Sequence, residues 1–182
     1  MRSSKSSVSN RYIILIGLVS FLIAIVVFWL AQTLAVAFKG IILSFILLFF
    51  FILINILSDI LGTAVTAATE VPFHARAANK VTGAMEGIFF IRNADKVANI
   101  CNDVIGDITG TLSGALGITI VLQLILFWPK IGEIWSNVLM TGLIAALIVS
   151  GKAAGKKIAL SRPNDIVFMA GVFLAAVKKL RR

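Results

Sequence analysis

Four long apolar stretches, separated by short polar segments, dominate this chain of 182 residues. They cover residues 12–38, 40–68, 98–128 and 134–150. A helix that crosses a bilayer needs about 20 mostly apolar residues, with a range of about 17–25, so each stretch can span a membrane. The pattern predicts an all-α protein, a polytopic helical membrane protein with about four transmembrane helices plus interfacial and juxtamembrane helices.

The polar segments predict how the rest of the chain is organised. Residues 1–11 are a basic, serine-rich tail, and residues 12–38 form an extra amino-terminal transmembrane helix. Residues 40–162 form the transmembrane core, in which the basic segment 70–97 mixes apolar and charged side chains as interfacial helices do. Residues 163–182 predict an amphipathic juxtamembrane helix, because this stretch is short and lies between basic clusters.

A cleavable secretory signal is the alternative for the first apolar stretch. Ala35, Val36 and Ala37 resemble the small-residue site at which a signal peptide is cut. The apolar region is longer than the 7–15 residues of a typical signal, however, which favours a retained helix.

Composition and charge support a membrane location. Hydrophobic residues make up 59% of the chain, mean hydropathy is +1.03 and only 14% of residues are charged, which excludes a soluble domain of this length. The net charge of +9 comes from basic residues at the chain ends and in one loop. This pattern suits anionic lipid rather than nucleic acid. With both termini in the cytoplasm, all of the 17 basic residues except Lys39 and Lys130 lie inside, as expected in a plasma membrane.

The third apolar stretch carries acidic side chains at membrane depth. At about 1.5 Å per residue, Asp107 lies about 14 Å beyond Ala98, so it is predicted near the middle of the bilayer. An aspartate there costs roughly 2.5–3.5 kcal/mol, so it must face a partner, an ion or a wet cavity. Helical spacing places several small and polar residues on one face beside Asp107, where the glycines let another helix approach: Asn99, Asp103, Gly106, Gly110, Gly114 and Gly117.

These residues predict a cation site. Mg²⁺ prefers oxygen ligands and keeps several waters, so the carboxylates of Asp103 and Asp107 with the amide of Asn102 suit it. Asp59 and Thr63 of the second stretch are further candidate ligands from the preceding helix. The alternative interpretation is a helix-end cluster that is solvated or paired with a lysine, so that it holds helices in register.

Lys152 is the candidate ion-pair partner, although a lysine near a helix end is more often a membrane anchor. The single cysteine, Cys101, excludes an intrachain disulfide. His74 has no nearby ligand pair in the sequence, which favours a structural or surface role. The sequence contains no nucleophile–histidine–acid set and no phosphate loop, so we expect no enzyme activity.

The order of motifs from Gly62 onward resembles the transmembrane domain of the CorB/CorC and cyclin-M magnesium transporters, over about residues 55–180. Residues 61–64 resemble the kink that ends the first core helix of that family. Residues 93–96 resemble its Asn-Pro-Asp-Arg-like turn, and Asn102 is similar to the asparagine of its Gly-Asn pair. Residues 151–156 resemble the Gly-Glu-x-x-Pro-Lys motif that ends its third core helix.

The resemblance implies a homodimer and transport of a divalent cation, with Thr63 and Asn102 carried over from the family's cation-binding set. Three positions depart from it: Ala64 and Lys152 replace glutamates, and Gly155 replaces a proline. The nucleotide-binding CBS pair is absent from this sequence. These departures support the alternative function, a non-transporting membrane scaffold or regulatory subunit in which the acids pair with Lys152. Such a subunit would bind anionic lipid or another membrane protein through its basic interfacial segments.

Overall fold

The computed structural model describes residues 10–37, 41–129 and 132–181, and every regular element in these ranges is a helix. The elements are α1 (Asn10–Ala37), α2 (Ile41–Ala67), α3 (Val71–Ala78), α4 (Ala84–Arg92), α5 (Ala94–Asn99), a π-helical turn (Ile100–Ile105), α6 (Gly106–Phe127), α7 (Glu133–Ser161) and α8 (Pro163–Leu180). The stretches Ile14–Thr33, Ile41–Ala67, Ala94–Phe127 and Glu133–Ser161 are long and apolar enough to cross a membrane. The prediction of an all-α, multi-pass membrane protein is confirmed.

Some of the sequence predictions concern residues outside the described ranges. These residues are most of the basic tail, residues 1–9, and the two lysines predicted on the outer side, Lys39 and Lys130.

The centre of the bundle is α2, which packs against both α6 and α7. Leu48 and Phe51 of α2 are buried against Leu116 and Ile120 of α6. The outer faces of the spans are apolar and exposed, as at Leu126, whose side chain is 81% exposed. Because lipid is as apolar as these side chains, close packing rather than the hydrophobic effect joins the spans.

The fourth span extends further than its apolar stretch predicted. The sequence places the end of the span near Ser150, whereas α7 continues to Ser161. The reason is that α7 remains in contact with α2 over these turns: a Cβ at Gly155 would lie 2.6 Å from Cγ1 of Ile60. The helix end expected at residues 151–156 is therefore wrong. Helix α2 likewise continues through residues 61–64 and ends at Ala67.

The short helices α3, α4 and α8 form a second packed layer at the end of the bundle where α2 and α7 finish. Phe73, Ile88 and Val167 are buried together in its core. Helix α8 begins with a proline at its first position and ends with lysines in its last turn, which suit the geometry and dipole of helix ends. Helices α4 and α8 touch through glycines, because a Cβ at Gly171 would overlap the carbonyl oxygen of Gly83.

This contact predicts a strong effect of Gly171→Ala. The added methyl group meets backbone, which cannot move aside as a side chain can, so we expect a loss of about 1–3 kcal/mol in the free energy of unfolding. Gly142→Ala is the matched control, because a Cβ at Gly142 meets nothing within 4 Å. It should be neutral or stabilise α7 by up to about 1 kcal/mol. Thermal unfolding in detergent measures both, and equal stability of the two variants would contradict this packing.

Glu70 links the layer to the end of α2. Its Oε2 lies 3.0 Å from Nε2 of His74 and 3.1 Å from Nε of Arg92. The hydrogen bond from His74 has the largest effect and lowers the pKa of Glu70; desolvation opposes it, and the hydrogen bond and charge of Arg92 lower the pKa further. Because the pKa is lowered, the contribution of Glu70 to stability is present above its ordinary carboxyl pKa. It is lost as the pH falls through the lowered value.

Candidate functional site

The second half of α2 carries a polar face directed into the bundle. Asn55 and Asp59 lie one helical turn apart, and their residues are only 1% and 5% exposed. Polar side chains at this burial need partners, because the bilayer core supplies no water to satisfy them. The structure brings two other helices to this face.

The first partner is the helical segment that leads into α6. Asn55 Nδ2 donates a hydrogen bond of 2.6 Å to the carbonyl oxygen of Gly106, and Ser58 Oγ donates one of 2.8 Å to that of Cys101. Both acceptors lie in or directly after the π-helical turn, Ile100–Ile105. A π-helical turn widens the backbone hydrogen-bond pattern, and such turns occur often at functional sites. The side chains of α2 therefore bind main-chain oxygens of the π-helical turn and of the first residue of α6.

The second partner is Lys152 of α7. Its Nζ lies 3.7 Å from Oδ1 of Asp59, and the two side chains are 26% and 7% exposed. This distance makes an ion pair but exceeds the 2.7–3.2 Å of a direct hydrogen bond. The ammonium also lies close to α6, since a Cβ at Gly106 would be 3.4 Å from Nζ. One lysine thus reaches a junction of three helices.

Three buried oxygen atoms at this junction have no hydrogen-bond partner among the described residues: Oδ1 of Asn55, Oδ2 of Asp59 and Oδ1 of Asn102. Asn102 fits against α2 because position 62 is a glycine; a Cβ there would overlap its amide oxygen. Buried oxygen atoms without hydrogen-bond donors are rare in native proteins. Such atoms indicate a place where a donor group, a water molecule or a cation can bind. We define these residues, Asn55, Asp59, Asn102 and Lys152, as the junction site.

Asp103 and Asp107 lie outside the junction site. Both are exposed, and with Ile16 and Ser20 of α1 they line a cavity of about 190 Å³. Asn99 Nδ2 donates a hydrogen bond of 2.6 Å to Oδ2 of Asp103. The structure therefore does not bring Asp103 and Asp107 together with Asp59. It also does not pair them with Lys152, which contacts Asp59 instead.

The physical reason is the direction of the buried face of α6. Gly106, Thr109 and Ser113 are buried inside the bundle, and the carbonyl oxygen of Gly106 binds Asn55 of α2. Gly106 directly precedes Asp107 in the chain. One residue turns an α-helix by about 100°, so this small difference directs the acids towards α1. Of the glycines predicted on one face, Gly114 has nothing within 4 Å.

The remaining predicted ligand, Thr63, is half-buried beside Gly62, and its carbonyl accepts a hydrogen bond of 2.8 Å from Oγ1 of Thr66. Its own hydroxyl makes no hydrogen bond to another described residue. Within the described part of the chain, no group of three or more His, Cys, Asp or Glu side chains could hold a metal ion. A cation at the junction site would therefore depend on amide and carbonyl oxygens beside one carboxylate.

Asn55 is the site residue that the sequence interpretation did not select as a ligand. The signal was present, because Asn55 and Asp59 are spaced by four residues within an otherwise apolar helix.

No family model, curated protein or solved structure matches this chain. The resemblance to the CorB/CorC transmembrane domain therefore stays a prediction from the sequence.

Proposed function

We propose that this chain is a membrane transport protein for a small monovalent cation, and that Asp59 binds this cation inside the membrane. The observation that carries the proposal is the junction site. There, the described residues include a buried carboxylate oxygen and two buried amide oxygens without donors, and the Lys152 ammonium lies 3.7 Å from Oδ1 of that carboxylate. Ionisable residues inside spans mark ion pathways more often than they serve packing, because their burial is costly.

Lys152 acts in this proposal as a tethered cation. Its ammonium neutralises Asp59, so the resting site is uncharged overall. The side chain is a quarter exposed and has a flexible four-carbon stem, so the ammonium can withdraw towards the end of α7. Withdrawal leaves one negative charge and the amide oxygens of Asn55 and Asn102 for an incoming cation. When the cation leaves, the ammonium returns.

The charge of the site favours a monovalent cation over Mg²⁺. With Lys152 withdrawn, Asp59 supplies one negative charge, which balances one positive charge. Mg²⁺ demands a near-octahedral set of oxygen ligands and gives up its waters reluctantly. The two carboxylates that the Mg²⁺ prediction combined with Asn102, those of Asp103 and Asp107, line a cavity with residues of α1 instead.

A non-transporting scaffold or regulatory subunit is the second candidate, and the same ion pair favours it. Lys152 already satisfies the charge of Asp59, so the pair could simply hold α2 and α7 in register. In that case the ammonium stays in place and no cation crosses.

The orientation belongs to the same proposal. The basic residues of α3, α4, α5, α8 and the end of α7 gather at the end of the bundle where α2 finishes. The positive-inside rule assigns this end to the cytoplasm. We therefore place both termini in the cytoplasm and the chain in the plasma membrane. A homodimer, which the CorB/CorC resemblance implies, completes the proposal.

Cation flux into liposomes that contain the purified protein tests the function. Wild type should carry Na⁺, K⁺ or protons, each measured with its own fluorescent indicator. The double variant D59N/K152M should abolish this flux, because it removes both charges of the junction site while leaving no buried charge unpaired. D107N, which changes an acid outside the site, should retain the wild-type rate.

Three outcomes would contradict transport of a monovalent cation through the junction site. Equal flux through wild type and D59N/K152M would exclude the site. Flux of Mg²⁺ without any monovalent flux would refute the charge argument. The absence of all flux from correctly folded wild type would favour the scaffold.

A further inference from the structure

A groove runs along the contact between α1 and α6. It consists of two adjoining cavities of about 190 Å³ and 360 Å³, which share the lining residue Ile108. Asp103 and Asp107 line the smaller cavity, whereas Phe21 and Phe28 line the larger one. The groove therefore has an acidic half and an apolar half.

Both halves lie on the same faces of the two helices. On α1, Ser20 lines the acidic half, and Ala24, four residues later, lines the apolar half. On α6, Asp107 of the acidic half is followed at intervals of four residues by Thr111 and Ala115 of the apolar half. Side chains four residues apart lie one above the other on a helix face. One elongated molecule can therefore occupy both halves.

Small side chains keep the groove open. Ala24 of α1 and Ala115 of α6 are too short to fill the space between the two helices, whereas Ala31, further along α1, is buried in the core of the bundle. Phe21 and Phe28 remain exposed at the groove. Because α1 and α6 belong to spans, the surroundings of this opening are lipid. The groove can therefore be reached from the bilayer.

The acidic half lies at membrane depth. Gly106 accepts a hydrogen bond from Asn55, which lies near the middle of α2, and Asp107 directly follows Gly106. Asn99 gives Asp103 a neutral hydrogen-bond donor, and none of the ion pairs between described residues includes either acid. A carboxylate at this depth is costly unless a partner or an ion meets it. The acidic half therefore favours a positively charged occupant.

We propose that this groove binds an amphiphilic organic cation that enters from the bilayer. The carboxylates of Asp103 and Asp107 hold its cationic group. The apolar half holds its hydrophobic body, where Phe21 and Phe28 offer aromatic rings, which attract organic cations. A metal ion would leave the apolar half empty, and a neutral or anionic lipid would leave the carboxylates without a counter-charge. The groove does not include Asp59, so this proposal does not rest on the proposed function.

Isothermal titration calorimetry of the purified full chain in nonionic detergent, with tetraphenylphosphonium as the probe, tests the proposal. Wild type should bind this cation saturably, and it should not bind tetraphenylborate, an anion of the same shape. D103N/D107N should weaken tetraphenylphosphonium binding at least about tenfold, because opposite charges attract strongly in a site of low dielectric constant. D95N/E133Q removes the same charge from exposed positions outside the groove, and it should stay within about twofold of wild type.

A second pair of variants tests the apolar half. A24L/A115L fills this half with larger side chains, so tetraphenylphosphonium binding should again fall at least about tenfold. A145L/A146L adds the same volume at exposed positions of α7, and it should bind as wild type does. If A24L/A115L does not fold, the comparison of D103N/D107N with D95N/E133Q still decides the proposal.

Three results would overturn this site. Equal binding by D103N/D107N and D95N/E133Q would show that the two acids of the groove hold no cation. Wild-type binding by a folded A24L/A115L would show that the apolar half takes no part. Equal binding of tetraphenylborate would show an apolar surface that does not select for charge. D59N/K152M should bind tetraphenylphosphonium as wild type does, so failure of the groove and failure of the junction site are distinguishable.

Discussion

Asp59→Asn should destabilise the protein more than any other single loss of an acidic charge within its spans. The change leaves the Lys152 ammonium at the junction of three helices without a counter-charge. Breaking a fully buried ion pair in this way costs about 3–5 kcal/mol, and the partial exposure of Lys152 places the expected loss at the lower end, about 3 kcal/mol. Unfolding of the purified protein in mixed micelles, followed by circular dichroism, measures this change.

Asp103→Asn and Asp107→Asn are the matched controls. Both residues are exposed and point away from Lys152, so each change should stay within about 0.5 kcal/mol of wild type. If Asp107→Asn lowered the free energy of unfolding as much as Asp59→Asn, the placement of Asp59 rather than Asp107 in the core of the bundle would be contradicted.

Lys152→Glu should convert the junction site into one for a divalent cation. The new carboxylate approaches Asp59 from α7, so two like charges meet in a buried place where an ammonium stood. Without a cation, this repulsion should lower the melting temperature strongly. Mg²⁺ should restore it, because the site then offers two carboxylates and the amide oxygens of Asn55 and Asn102.

The size of the restoration follows from binding to the folded state. A cation at about 100 times its dissociation constant adds about 2.7 kcal/mol, which corresponds to a rise of about 5–10 °C for a chain of this size. A titration of melting temperature against Mg²⁺ measures it. Lys156→Glu, an exposed change one turn further along α7, should show no such response, and neither should D59N/K152E. A Mg²⁺-dependent rise in Lys156→Glu would contradict a specific site.

The spans could be predicted from the sequence because their length and apolarity are properties of each stretch alone. The polar face of α2 was visible in the same way, since Asn55 and Asp59 interrupt an apolar helix at a spacing of four. Which acids meet in space could not be predicted. That depends on the rotation of α6 about its own axis, and the rotation is set by small side chains that contact α2.

The full length of α7 could not be predicted from the sequence for a related reason. Gly151 and Lys152 look like the end of a span, because a charged residue is unusual inside a membrane helix. In the folded chain, that glycine lets α7 approach Ile56 of α2, and the charge meets Asp59. Residues that indicate a helix end when one segment is considered alone are accommodated here inside a helix, because a neighbouring helix contacts them.

The measurement that tests the central claim most directly is the coupling energy between Asp59 and Lys152. A double-mutant cycle of D59N, K152M and D59N/K152M isolates it from the effects of each single change. The ion pair predicts a coupling of at least about 1 kcal/mol. The double variant should therefore lose less free energy of unfolding than the sum of the losses in the two single variants. The same cycle with D107N and K152M should give a value near zero. Additive losses for Asp59 and Lys152, or a larger coupling for Asp107, would contradict the junction site.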